Sequence, residues 1–571
     1  MSCWSRARSR PGRPKRGPVA LRSVLARGIG ETMKAAISTT ERAGTLDRLE
    51  RGRFDCAIIG GGISGAGIAR EAARRGLSVA LLEAEDFASG TSGRSSKLIH
   101  GGLRYLAMGD VALVRTTALE RKEIHRLAPH LAVPRWTVVP ARSRAALLKF
   151  RAGILTYEKL GAVAKRDLHR TWSGEELARE EPLLDRSRYG HACAYREYLT
   201  DDAHLVLASL RQAVGLGALA INYARAVAIV REAGVATGVE AECAFSGRRV
   251  RVRARCVINA AGPWVEAVQR LEDPAAPPLL HLSKGVHVVL PAQRLPVNHV
   301  LILGARDRRS IFAIRHGDVV FIGTTDTSYP SRGAVWPEIT RDDVDYLLEP
   351  LPRYLSCEPV RRGEVVAAWA GLRPLIAEPG KKPHEISRRD EIAVGPARVI
   401  TLAGGKLTGF RPMARATVEK AAEVCGLDLA PASAGDEEPL PGGDLDADLA
   451  SFEAALAREV GVSPRCAARL VRLYGSEARE LARAGTEPLV ADSPVLASEV
   501  DWSVRVEGAA TLEDVLYRRI RSALFVPEAR EASLTKIAER LAALLGWSDE
   551  RRQSQVDRAR ARLAADLEFR G

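Results

Sequence analysis

Gly60, Gly62 and Gly65 stand in a GxGxxG run, directly after the apolar segment FDCAII and directly before an alanine-rich stretch. Glycine at this spacing permits a tight turn, lets the backbone approach a pyrophosphate and allows close helix–strand packing. A helix starting there, with Ser64 in its first turn, presents free N–H groups and a positive dipole end to phosphates. Glu83 follows 23 residues after Gly60, where a carboxylate can accept ribose hydroxyls. The glycines alone fit any turn between packed elements. With a strand before them, a helix after them and a second strand ending at the acid, they predict a dinucleotide site.

Two further glycine-rich segments can serve the same ligand. Residues 90–106, GTSGRSSKLIHGGLRYL, carry Thr91, Ser95, Ser96, Lys97 and Leu98 and can run extended past a flavin, offering hydroxyls and backbone N–H groups. The plain alternative is a solvated loop. Residues 403–411, AGGKLTGFR, place Gly405, Lys406, Leu407 and Thr408 after one strand and before a helix, which gives a second helix N-terminus for an anionic or electron-rich group.

The elements that must hold these segments are legible in outline. Phe54 to Ile59 and Leu77 to Glu83 read as buried strands, with a helix over Ile63 to Arg75 that stops at Gly76. Strand, helix and strand of these lengths form a right-handed parallel unit. A helix is expected from about Val111 to Leu127. Further strands are expected over Val252–Asn259 and Val399–Leu402, with a hairpin of Ile311–Arg315 and Val319–Ile322. Residues 431–444, rich in Pro, Gly and acid, read as a linker. Beyond them Leu445, Leu449, Phe452, Leu456 and Val460, and later Leu534, Ile537, Leu541 and Leu544, recur at helical spacing. Residues 445–571 therefore read as a helical domain.

Composition bounds the rest. An apolar content of 46% in 571 residues supports a large core. The eight cysteines form no CxxC pair and no zinc-ligand spacing, so no metal is expected and a reducing, cytoplasmic compartment fits. The net charge of +15 is uneven, with eight Lys/Arg and one Glu in residues 1–32. Residues 1–53 are expected to be a basic, disordered extension. For residues 1–32 the readings are an arm for nucleic acid, an anionic membrane or an organelle receptor, and a start-site artefact, since Met33 opens a tamer segment. No apolar run reaches the length of a transmembrane helix.

The run from Asp55 to Leu106 closely resembles the flavin-dependent glycerol-3-phosphate dehydrogenases. The likeness continues at YLTDDAHLVLA (198–208), INAAGPWV (258–265), SKGVHVVLP (283–291), FIGTTDTSY (321–329), WAGLRPL (369–375), AGGKLTGFR and VDWSVRVEGAATLEDVLYRRIR (500–521). It implies an α/β fold over 54–430, a Rossmann-type FAD-binding domain interleaved with a mixed-sheet substrate domain, plus the all-α C-terminal domain. It implies FAD across the GxGxxG, with Ser95, Ser96, Lys97 and Leu98, and Gly405, Lys406, Leu407 and Thr408, bracketing the flavin ring.

The resemblance further implies glycerol 3-phosphate as substrate, oxidised to dihydroxyacetone phosphate, and a quinone as electron acceptor. The protein would lie peripherally on the cytoplasmic face of the membrane; a homodimer is also expected, and no nucleic acid. The matching pocket positions are Arg104, Tyr105, Thr325, Arg388 and Lys406, with His287 and Arg373 beside the reacting carbon. Arginine forks suit a phosphate, and histidine suits a base near neutral pH. His287 also fits a packed core histidine, and Arg373 a surface ion pair. Three departures bear on the substrate. His204 replaces an arginine, Gly409 and Phe410 replace hydroxyl-bearing residues, and Arg315-His316 stands where a proline is expected. The competing readings are another polyol phosphate, an amine, an oxygen-using oxidase (whose long insertion is not evident) and a flavin scaffold that does not turn over.

Overall fold

The computed structural model describes residues 35–102, 106, 110–307, 309–330, 333–378, 389–431 and 438–571. Arg104, Tyr105 and Arg388 lie outside them. In the first sheet, β1 (Arg53–Ile59) is flanked by β2 (Val79–Leu82) and β4 (Arg249–Asn259), both parallel to it. β3 (Leu219–Ile221) extends the parallel set beyond β2, and β9 (Ile400–Gly404) extends it beyond β4. β8 (Asp390–Val394) closes that edge antiparallel.

β1 and β2 are apolar runs because both faces are covered. One face carries α2 (Ile63–Arg74), α4 (Asp202–Gly215) and α5 (Phe410–Cys425), whose buried Ala and Leu side chains share a core with Cys56, Ile58 and Leu81. The glycine turn between β1 and α2 depends on close approach. A Cβ at Gly65 would stand 1.9 Å from the Gly60 carbonyl oxygen, and Gly60 has φ +115°.

The second sheet is built around the long strand β5 (Leu280–Pro291), paired antiparallel with β6 (Val319–Gly323) and β7 (Ala367–Ile376). The expected hairpin is present as Ser310–His316 and Val319–Gly323. Its register sets the site, because His287 lies opposite both Gly323 and Trp369, and Gly285 lies opposite Gly371.

The C-terminal part is helical as read, with Leu449–Val460 and α6 (Arg530–Leu545) burying Phe452, Leu456, Leu534, Ile537 and Leu541. The linker is partly packed, since Leu440 is buried and its N–H donates to the Leu127 carbonyl.

The expected disorder of residues 1–53 fails from residue 35 onward. Ile37 is buried and its N–H donates to the Val506 carbonyl, and α1 (Arg42–Arg51) buries Leu46 and Leu49. Those apolar residues, three apart, supply a face that the basic composition of the segment obscured.

Candidate active site

A cavity of about 580 Å³ runs from the glycine turn of the first sheet to the face of the second. At its first end Gly60, Gly62 and Ser64 form the wall where α2 begins. Glu83 lines it too, and its carboxylate accepts N–H groups from Gly61 (2.6 Å) and Glu85 (2.8 Å). Burial pushes the Glu83 carboxyl up to about 7. Gly65 lies outside the wall and acts by packing against Gly60.

Thr91, Ser95, Ser96 and Leu98 line the middle, facing Gly405, Lys406, Leu407 and Thr408 across the cavity. The two segments are tied together, as Thr408 Oγ1 donates to the His100 carbonyl at 3.2 Å. Lys97 does not face the cavity, contrary to its assignment as a cofactor residue. Its side chain is fully buried behind the loop, with Nζ 2.8 Å from Asp202 Oδ1. A φ of +54° turns it away from its neighbours.

At the far end His287 and Arg373 come together over one face of the second sheet. Glycines opposite or beside them make the room. A Cβ at Gly323 would stand 2.0 Å from the His287 ring, and one at Gly285 would stand 2.3 Å from the Arg373 guanidinium. His287 stacks on Trp369 with centroids 4.7 Å apart and planes 9° apart. Its Nε2 is 2.9 Å from Ser96 Oγ, on the loop that lines the middle of the cavity. Burial first, then the nearby cations Arg373 and Lys97, hold the imidazole well below its ordinary pKa. Arg373 is aimed by the Thr325 carbonyl (3.1 Å) and Thr324 Oγ1 (2.8 Å). His287 is thus both closely packed, at 2% exposure, and part of the cavity wall.

Thr325 is placed differently from its expected substrate role. Its hydroxyl is buried, accepting from the Val286 N–H (2.9 Å), so it supports Arg373 from behind. The three departures also lie off the cavity. His204 meets the Arg519 carbonyl at 2.8 Å, Phe410 packs on Gly67, and His316 stacks on Phe525 at 4.1 Å. His100, Ala260, Ala261 and Trp264, none of them among the expected site residues, also line the cavity. The signal was available in the quoted runs IHGG and INAAGPW.

The fold and the cavity define a dinucleotide-binding oxidoreductase, with an acid and a glycine turn for the nucleotide and a histidine–arginine pair at the other end. Residues 55–411 match the family described as FAD dependent oxidoreductase, and residues 433–552 match the C-terminal domain of alpha-glycerophosphate oxidase. The aerobic glycerol-3-phosphate dehydrogenase of Staphylococcus haemolyticus (strain JCSC1435) is 34% identical over 530 residues, which is 90% of this chain and 95% of that protein. That of Bacillus subtilis (strain 168) is 35% identical over 85% of this chain and 90% of its own length. The solved glycerol-3-phosphate dehydrogenase from Bacillus halodurans, complexed with FAD, aligns with a TM-score of 0.77 at 28% identity, covering 93% of this chain and 99% of that one. The chain belongs to the FAD-dependent oxidoreductases, within the family of aerobic glycerol-3-phosphate dehydrogenases, and FAD is its cofactor.

Proposed function

We propose that the protein oxidises sn-glycerol 3-phosphate to dihydroxyacetone phosphate and passes the electrons to a membrane quinone. The observation that carries the reading is the pairing of His287 and Arg373 over one sheet face, beside the loop of Ser95 and Ser96. Bound FAD supplies the two-electron acceptor for the hydride leaving C2. His287, kept neutral by burial and by neighbouring cations, takes the C2 hydroxyl proton at Nε2, where Ser96 Oγ now sits. Arg373 holds the developing alkoxide. Lys406 lines the cavity and brings a charge of the kind a phosphate requires, and Arg104 and Arg388 are its expected partners on the sequence resemblance alone.

The membrane reading draws on α3 (Arg144–Leu160). Leu148 is 62% exposed and Leu155 42%, among Arg144, Lys149 and Lys159, while the helix's one acid, Glu158, is buried against His169. A basic face with exposed leucines suits an anionic lipid surface. No helix of the described residues is long and apolar enough to cross a membrane.

The test is anaerobic mixing of the purified holoprotein with sn-glycerol 3-phosphate while following the visible flavin band. Bleaching with dihydroxyacetone phosphate in proportion supports the reading; a flavin that stays oxidised overturns the substrate. Oxygen as final acceptor is a second reading, favoured by the match of residues 433–552 to a domain named for an oxidase. Peroxide formed in air, one per substrate and without quinone, would select it.

A further inference from the structure

A second cleft, of about 690 Å³, lies between the second sheet and the helical domain, at the opposite end of β5 from its first residue. Arg465, Arg530 and Arg570 line it from three separate elements: the helix Pro464–Tyr474, the first residue of α6 and the closing turn Glu568–Arg570. Arg465 is neutralised, with Nε 2.6 Å from Asp318 and Nη2 2.5 Å from Glu528. The other two arginines are held only by neutral backbone. Arg530 Nη1 donates to the Val366 carbonyl (3.1 Å) and the Ala523 carbonyl (3.2 Å), and Arg570 Nη2 donates to the Val365 carbonyl. Among the described residues neither makes an ion pair with a carboxylate.

The two guanidinia thus hang on consecutive carbonyls of one short backbone stretch, close enough to repel. Burial lowers the pKa of each, and Arg530 lowers that of Arg570 further. Like charges in a partly desolvated cleft are unfavourable until an anion sits between them. Two planar forks offer bidentate bonds to a phosphate, and although Asp566 and Glu531 attract Arg530 at longer range, no carboxylate closes either fork. Pro291, Val319 and Pro527 give the same cleft an apolar wall for a short carbon skeleton.

We propose that this cleft is a second, non-catalytic anion site, taking a phosphate-bearing small molecule between Arg530 and Arg570. One strand connects it to the active site. Val366 immediately precedes β7 and donates its N–H to the Val289 carbonyl of β5. Trp369, the stacking partner of His287, lies three residues further on. This anion site stands independently of which alcohol the main cavity oxidises.

The test is calorimetric titration of the full-length holoprotein with inorganic phosphate at constant ionic strength in chloride. The wild type is compared with Arg570→Gln and with Arg530→Gln/Arg570→Gln. The expected result is two classes of phosphate site in the wild type, one of them weakened at least 10-fold by Arg570→Gln, with FAD content and flavin reduction unchanged. Repeating the titration with a non-substrate phosphate monoester distinguishes free phosphate from a phosphorylated metabolite as the better ligand. A single class of site that competes with substrate, or two classes unaltered in Arg570→Gln, overturns the proposal. Arg570 is exposed, so the single variant decides the matter even if the double variant does not fold.

Discussion

Lys97 and Asp202 form an ion pair at 2.8 Å with both side chains fully buried, beneath the loop that carries Ser95 and Ser96. Asp202 also accepts the Ser95 N–H (2.9 Å) and hydroxyl (2.7 Å), so one carboxylate fixes both the loop and the cation. Lys97 Nζ lies 5.1 Å from the centre of the Trp369 ring, on whose stack His287 rests. Burial brings the ammonium down to about 8.

Lys97→Met is therefore expected to act on the histidine rather than on FAD contacts. Losing a nearby cation favours the protonated imidazole, so the His287 pKa rises and the acidic limb of kcat/KM moves to higher pH. A pH–rate series on wild type and variant checks this, and a limb that stays in place would remove Lys97 from the electrostatics of the base.

Glu83→Gln tests the nucleotide end. The carboxyl accepts two backbone N–H groups and lines the cavity. Losing charge-assisted bonds to a ligand is worth roughly 1.5–3 kcal/mol, or about 10- to 100-fold in FAD affinity. The pH dependence follows from the raised pKa of about 7 against 4.5 unfolded. Between those values the folded state binds a proton that the unfolded state lacks, so stability of the FAD-free wild type falls as pH rises from about 4.5 to 7. Urea melts at pH 5 and pH 8 should show a smaller difference in Glu83→Gln.

Much of this site was legible in the sequence, for identifiable reasons. Glycines that permit a close backbone approach carry their own signature, and the turn at Gly60 and Gly65 follows it. Short apolar runs between breakers gave β1 and β2 to within one or two residues. The direction of a side chain at positive φ has no such signature, so Lys97 was grouped with the neighbours it turns away from. Thr325 was likewise assigned from its place in a motif, whereas a cross-strand bond to Val286 determines what its hydroxyl does. Interactions between residues hundreds of positions apart were not legible, as with Arg518 and Arg519 of the helical domain on Asp86.

Gly65→Ala should cost more than the usual penalty for an added methyl group. The new Cβ would meet the Gly60 carbonyl oxygen, at 1.9 Å, and a backbone atom cannot swing aside as a side chain can. A loss above ~2 kcal/mol with poor FAD retention is expected. A variant that melts like the wild type and keeps its flavin would show that the turn is looser than its geometry.

Arg521→Met should uncouple the helical domain from the loop of Ser95 and Ser96 that lines the cavity. This arginine is buried, bonds Asp201 (2.8 Å) and Asp202, and sits at φ +59°. Removing one member of a buried charge cluster leaves its partners uncompensated, at a cost of roughly 3–5 kcal/mol. Arg521→Lys should restore part of that stability and of FAD affinity, since it keeps the charge but not the fork. Equal FAD dissociation constants in all three proteins would make the contact incidental to the cofactor.

The membrane reading makes a surface prediction that leaves the active site untouched. Leu148 and Leu155 stand on the exposed face of α3, seven residues apart and thus nearly in line along the helix. Burying two leucine side chains in a lipid interface contributes on the order of 3 kcal/mol at most, and the surrounding Arg144, Lys149 and Lys159 add a salt-sensitive attraction. Leu148→Asp/Leu155→Asp should therefore co-sediment with anionic vesicles at least 10-fold more weakly than wild type, while flavin reduction in solution is unchanged. Wild-type binding should also fall with added salt and be weaker on neutral vesicles. Undiminished sedimentation of the double variant would rule out α3 as the membrane-contacting face.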